Sequence, residues 1–141
     1  MHPNSAYVRG QCGWVFLYSG QIERAAEQFE AGLRLNPLDP RARVLTVGLA
    51  AAHFFARRFD DAVRWCRRTL FGSPDHSVAR RYLAASLAYL GRREEAQGAI
   101  QELLIRQPNS CLSRSRSSSA FAPTWMLDLY VDGLKLAGLP E

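Results

Sequence analysis

Lysine is nearly missing from this chain: all but one of its eighteen basic residues are arginine, the exception being Lys135. Long apolar runs are missing too. Hydrophobic residues make up 48% of the 141, yet Arg, Asp, Glu or Gln interrupts every stretch well short of the roughly 20 that a membrane helix needs. A spanning segment is thereby excluded. Met1-His2-Pro3-Asn4-Ser5 has neither the basic start, the apolar core nor the cleavage site of a secretory leader, so the expected setting is cytoplasmic, with no membrane partner. Cysteine is sparse: Cys12, Cys66 and Cys111 are odd in number and unevenly spaced, which fits neither a disulfide framework nor metal-binding knuckles. They are expected to act as small hydrophobes. His2, His53 and His76 offer no pair at metal-ligand spacing, and His53 is expected at a core or groove-edge position. Cys66 falls in a hairpin interior with no histidine within several turns to take its proton, and Gly10, Gly13 and Gly20 follow no strand as a phosphate-binding loop would. No catalytic residue, metal or cofactor is expected, and the chain is not read as an enzyme.

What is present is a repeat. Gly20-Gln21-Ile22-Glu23-Arg24-Ala25 leads to Phe29 and Pro37, Arg57-Arg58-Phe59-Asp60-Asp61-Ala62 to Cys66 and Pro74, and Gly91-Arg92-Arg93-Glu94-Glu95-Ala96 to Ile100 and Pro108. The alanines and prolines step together, by 37 and then 34 residues. A turn glycine supplies the positive φ that ends one helix, and the acids after it place negative charge in the first turn of the next. Ala25, Ala62 and Ala96 allow close helix approach, Phe29, Cys66 and Ile100 lie one turn further on the same face, and each proline stops the second helix. Helices are predicted over 5–19, 22–35, 40–56, 59–71, 75–90 and 92–106. The interior is expected to include Phe16, Ala25, Phe29, Leu49, Ala62, Leu83, Leu87, Ala96 and Ile100.

This spacing resembles the 34-residue tetratricopeptide repeat, in copies at 6–39, 43–76 and 77–110 with a three-residue insertion at Pro40–Ala42. Departures are Arg9, Thr46 and Arg80 where an aromatic is usual, and Arg57 for the second turn glycine. The resemblance implies an all-α, right-handed superhelical stack of three hairpins, residues 1–110, closed by a C-terminal capping helix. Residues 111–123 are Ser- and Arg-rich without a hydrophobic period and read as a mobile linker; 124–141 read as a last helix and tail, capped by Thr124 and ended by Gly138 and Pro140. Seven helices follow.

Leu35-Asn36-Pro37-Leu38-Asp39-Pro40 and Gly133-Leu134-Lys135-Leu136-Ala137-Gly138-Leu139-Pro140-Glu141 look like the end of bacterial multidomain proteins in which such repeats follow a cyclase or winged-helix domain. That resemblance implies the C-terminal regulatory or assembly region of a larger signalling protein.

The family further implies a partner-binding groove along the first helices. Carried over, it takes in Tyr7, Gln11, Trp14, Tyr18, Val47, Phe54, Phe55, Arg81, Tyr82 and Tyr89, an aromatic face suited to an amphipathic or apolar peptide or a second copy of the chain. Relatives that clamp a terminal carboxylate place Lys, Arg and Asn there. Only Arg81 is charged here, so no such clamp is expected. The third candidate to cover the face is the chain's own C-terminal helix. The alternative reading is a nucleic-acid-binding helical repeat using the pairs Arg57-Arg58, Arg67-Arg68, Arg80-Arg81 and Arg92-Arg93, which requires them to converge on one surface; dispersal is expected.

Overall fold

The structure is a computed structural model describing residues 5–141, so His2 lies outside the described residues. Among these, eight α-helices and no strand are found: α1 (Ala6–Tyr18), α2 (Ile22–Leu35), α3 (Arg43–Phe55), α4 (Phe59–Gly72), α5 (Ser77–Tyr89), α6 (Arg93–Arg106), α7 (Leu112–Ser118) and α8 (Thr124–Ala137), with a single 3-10 turn at Pro40–Ala42. The first six form three successive hairpins. Each hairpin's first helix also rests on the second helix of the hairpin before it, α3 on α2 and α5 on α4.

The three hairpin turns are the same structure built from different residues. Gly20, Arg57 and Gly91 are left-handed, with φ of 89°, 62° and 78°. The next amide in each case reaches back to close the first helix: Gln21 to Phe16, Arg58 to His53 and Arg92 to Leu87, all at 2.9 Å. Arg57 therefore occupies a glycine's conformation because the repeat geometry requires it there.

Packing of the first two hairpins centres on Phe29, which is fully buried. Its ring is seated between Gly13 of α1 and Gly48 of α3, where a Cβ on either would stand 2.5 Å from it. The following layers use smaller side chains at that register, Cys66 and Ile100, both buried. Thr46 and Thr69 share a 2.8 Å hydrogen bond across α3 and α4, so neither buried hydroxyl is left unpaired. Of the expected interior, Phe16 alone is only half-buried, its ring covered by the Arg24 guanidinium at 4.6 Å.

Three expectations are corrected. Residues 112–118 form a helix rather than a linker: Leu112 is buried, its amide bonds to Pro140 O at 2.8 Å, and Ser115 Oγ donates to Cys111 O at 3.1 Å. The anchor comes from the distant tail, which no local hydrophobic period could reveal. Thr124 is the first residue of α8 and makes no side-chain cap, whereas Gly138, at φ 104°, ends the helix as expected. Finally, α8 does not extend the stack. A further repeat helix would lie chiefly on α6, but α8 lies chiefly on α5 and only lightly on α6. The outer face of α6 has already turned polar, with exposed Gln97 in the register of buried Ala26 and Val63.

Candidate interaction groove

The helices α1, α3 and α5 lie side by side, and the residues expected to line a groove fall into two groups along them. Phe54, Phe55, Tyr82 and Val47 are buried, Phe54 completely. Tyr7 and Gln11 are exposed, Tyr18 is exposed to 37%, and Trp14, Arg81 and Tyr89 are half-buried. The chain's own C-terminal segment covers Phe54, Phe55 and Tyr82 and also reaches Tyr18 and Tyr89.

Aromatic contacts define that cover. Phe121 approaches Phe55 at 4.8 Å and Tyr18 at 5.5 Å, while Tyr130 meets Tyr82 at 5.1 Å and Phe54 at 6.5 Å between ring centroids. Mixed edge-on and tilted geometries of this kind suit the ring quadrupoles. Two hydrogen bonds fix the register, Ala122 N to Tyr18 O at 2.9 Å and Tyr89 Oη to Leu129 O at 2.7 Å. Close approach of α8 to α5 depends on Gly133, since a Cβ there would stand 2.7 Å from the Tyr89 ring and 2.8 Å from Ala85 Cβ. Phe121, Trp125, Tyr130 and Gly133 were missed as groove residues. The available signal was the surplus of aromatics on the first helices, which needed a partner of the same kind.

What stays open is a trough beside this cover. A cavity of 290 Å³ is lined by Trp14, Tyr18, Val44, Val47 and Val78 on the hairpin side and by Phe121 and Tyr130 opposite. Trp14 Nε1 donates to Val44 O at 3.4 Å, bridging α1 to α3 at its edge. Next to it lies a larger, more polar hollow of 610 Å³ between α5 and α7, lined by Gln107, Asn109, Arg114 and Ser115, among others. Arg81, Ser118 and Tyr130 border both. Arg81 donates to Gln107 Oε1 at 2.8 Å.

Burial pushes Tyr130 in the groove up to about 12 and raises Tyr82 and Tyr18 as well. His76, at the trough edge, is the N-cap of α5: its Nδ1 accepts from Ala79 N at 3.2 Å, and burial lowers its pKa. His53 lies away from the groove, accepting from Arg58 Nε at 2.9 Å. Burial raises the Cys66 thiol far above its ordinary range. A largely apolar trough with an arginine at one end, bordered also by His76, Ser118 and Ser119, can hold and orient a segment.

The arginine pairs do not converge. Arg57-Arg58 and Arg92-Arg93 sit at two hairpin turns, Arg67-Arg68 on α4 and Arg80-Arg81 in α5. Several are matched to acids, Arg58 with Glu23 at 3.4 Å and Arg67 with Glu95 at 3.7 Å.

Residues 13–77 match the tetratricopeptide-repeat family model. No curated protein matches the chain. Among solved structures, the first TPR domain of the human RPAP3 protein is 22% identical with a TM-score of 0.69, covering 95% of each chain. The second TPR domain of the same protein, in complex with HSP70 peptide SGPTIEEVD, is 17% identical at 0.67, covering 93% of this chain and 96% of that one. MamA is 18% identical at 0.70, covering 96% of this chain and 77% of that one. Likeness at this level establishes the fold: a tetratricopeptide-repeat stack, with the repeat recognisable in sequence over its central part.

Proposed function

We propose that this protein is an interaction scaffold that takes an apolar peptide segment into the trough between Trp14, Val44 and Val78 on one side and Phe121 on the other. The observation that carries this reading is the trough itself, an apolar cleft with exposed aromatic edges on a fold otherwise closed by its own C-terminus. A similar fold in complex with an HSP70 peptide supports peptide binding as the use of such a stack, with a different ligand class here. Arg81 is the one charged residue on the expected groove positions, so the segment is held by its apolar side chains rather than by its terminal carboxylate. α8 acts as a resident occupant of the remaining groove, shielding Phe54, Phe55 and Tyr82.

The similarity of the 35–40 and 133–141 strings to the ends of bacterial signalling proteins supports a cytoplasmic regulatory or assembly role within a larger protein. Self-association through the same aromatic face is the second use of the groove. Selection of binders from a displayed dodecapeptide library, followed by titration of Trp14 fluorescence, tests the reading. Apolar sequences whose binding is lost in Val44→Arg and Val78→Arg support it; selected peptides that bind those variants as well as the parent contradict it. Deletion of Ala120–Glu141 separates the roles of α8: stronger peptide binding with retained solubility marks it as a displaceable occupant, and aggregation marks it as an obligatory cover.

A further inference from the structure

The two rims of the stack differ in chemistry. One rim, where each first helix ends and each second helix begins, comprises residues 18–27, 55–64 and 89–97 and carries six arginines and six acids. The other, where second helices end and first helices begin, comprises 33–44, 68–81 and 102–106 and carries seven arginines and three acids. On this second rim the large apolar side chains also stand in solvent: Phe71 is 93% exposed, Leu38 90%, Ile105 71% and Leu35 52%. Phe71 and Ile105 hold the same register in successive hairpins; the first hairpin has Arg34 there, with Leu35 and Leu38 exposed just beyond it. Scattered single apolar residues are ordinary on a surface, but four large ones standing in solvent on one rim are more than a single such residue.

The chemistry around these points narrows what they meet. Arg68 lies over the Trp65 ring at 5.0 Å, one turn before Phe71, and Arg34, Arg41 and Arg43 are exposed around Leu35 and Leu38. Phe71 and Leu38 project outward and line neither described cavity, although Val44, Val78 and Arg81 at the inner edge of the same rim do. A protein partner would need sockets matched to these points, whereas a lipid surface accepts projecting apolar side chains wherever they fall and attracts a surplus of arginine through its anionic headgroups.

We propose that the rim bearing Leu38 and Phe71 docks peripherally on an anionic lipid bilayer. The contact is interfacial and needs no spanning segment, and none of the described helices is long and apolar enough to be one. Its apolar points Leu38 and Phe71 do not line the peptide trough.

The test is co-sedimentation of the full chain with vesicles of phosphatidylcholine alone and with phosphatidylserine added. Binding is expected only to the anionic vesicles and should weaken as salt shortens the range of the arginine attraction. Leu38→Ser with Phe71→Ser should reduce binding by roughly tenfold or more; both sites are exposed, so an unchanged circular dichroism spectrum is expected alongside. Arg93→Glu, on the opposite rim, should leave binding as it was. No binding by the parent chain to anionic vesicles overturns the proposal. So does binding that survives the double substitution, or that falls equally in Arg93→Glu, since the contact would then be general electrostatic attraction.

Discussion

Gly48→Ala sets two physical effects against each other with opposite signs. Alanine in a helix interior is ordinarily better than glycine by about 0.5–1 kcal/mol. At this position the added Cβ would meet Cε1 and Cζ of Phe29 at 2.5 Å, about 1 Å inside normal carbon–carbon contact. Retreat is blocked, because Gly13 already approaches the same ring so closely that its own Cβ would also stand at 2.5 Å. Overpacking of this kind costs about 1–3 kcal/mol. Subtracting the helix gain leaves a net loss of about 0–2.5 kcal/mol, with about 1 kcal/mol at its middle. Urea denaturation followed by circular dichroism should show a lower midpoint at unchanged slope. Phe29→Leu, harmful alone, should lose most of its cost in the Gly48→Ala background, because the shorter side chain vacates the contested space. A higher midpoint for Gly48→Ala would refute the wedge, leaving only the propensity gain.

Phe29→Ala should cost about 3–5 kcal/mol in the same assay by opening a cavity between α1, α2 and α3. Gly133→Ala should lift α8 from α5, through contact with Tyr89 and Ala85, and speed proteolysis between α7 and α8; no change in cleavage would mean that α8 is not held by that contact. Burial holds both His53 and His76 below the ordinary imidazole value of 6.5, so the unfolded chain takes up more protons than the folded one below that pH. Their stabilising contribution is full above about pH 6.5 and falls as pH drops through it. His76→Asn, which keeps an acceptor for Ala79 N, should flatten part of that fall in denaturation midpoints measured from about pH 7.5 to 5.

The hairpins were legible because their signals are local. Turn glycines, first-turn acids and the Ala25, Ala62 and Ala96 register each act within a few residues of where they are read, and even Arg57 could be placed by its position among two glycines. The interior followed from the same register, except that Phe16, like His53 at the same place in the second hairpin, is only half-buried. α7 was not legible, since its anchor is the pairing of Leu112 with Pro140 across the chain. Nor was the course of α8. A helix with Met126, Tyr130 and Leu134 on one face suits either the stack's end or its aromatic face. The choice rests on Gly133 meeting Ala85 and on Gln97 replacing an apolar residue on α6, details that gain meaning only when three helices are seen together.

The seat of α8 is the point on which trough, cover and proposed binding all depend. A nuclear Overhauser spectrum of the full chain, with the tyrosine and phenylalanine rings assigned, reports it directly. Cross-peaks from the Tyr130 ring to those of Tyr82 and Phe54, and from Phe121 to Phe55, are expected from centroid separations of 5.1, 6.5 and 4.8 Å. Tyr130 cross-peaks confined to Gln97, Gln101 and Leu104 of α6 would place α8 at the end of the stack and contradict the account.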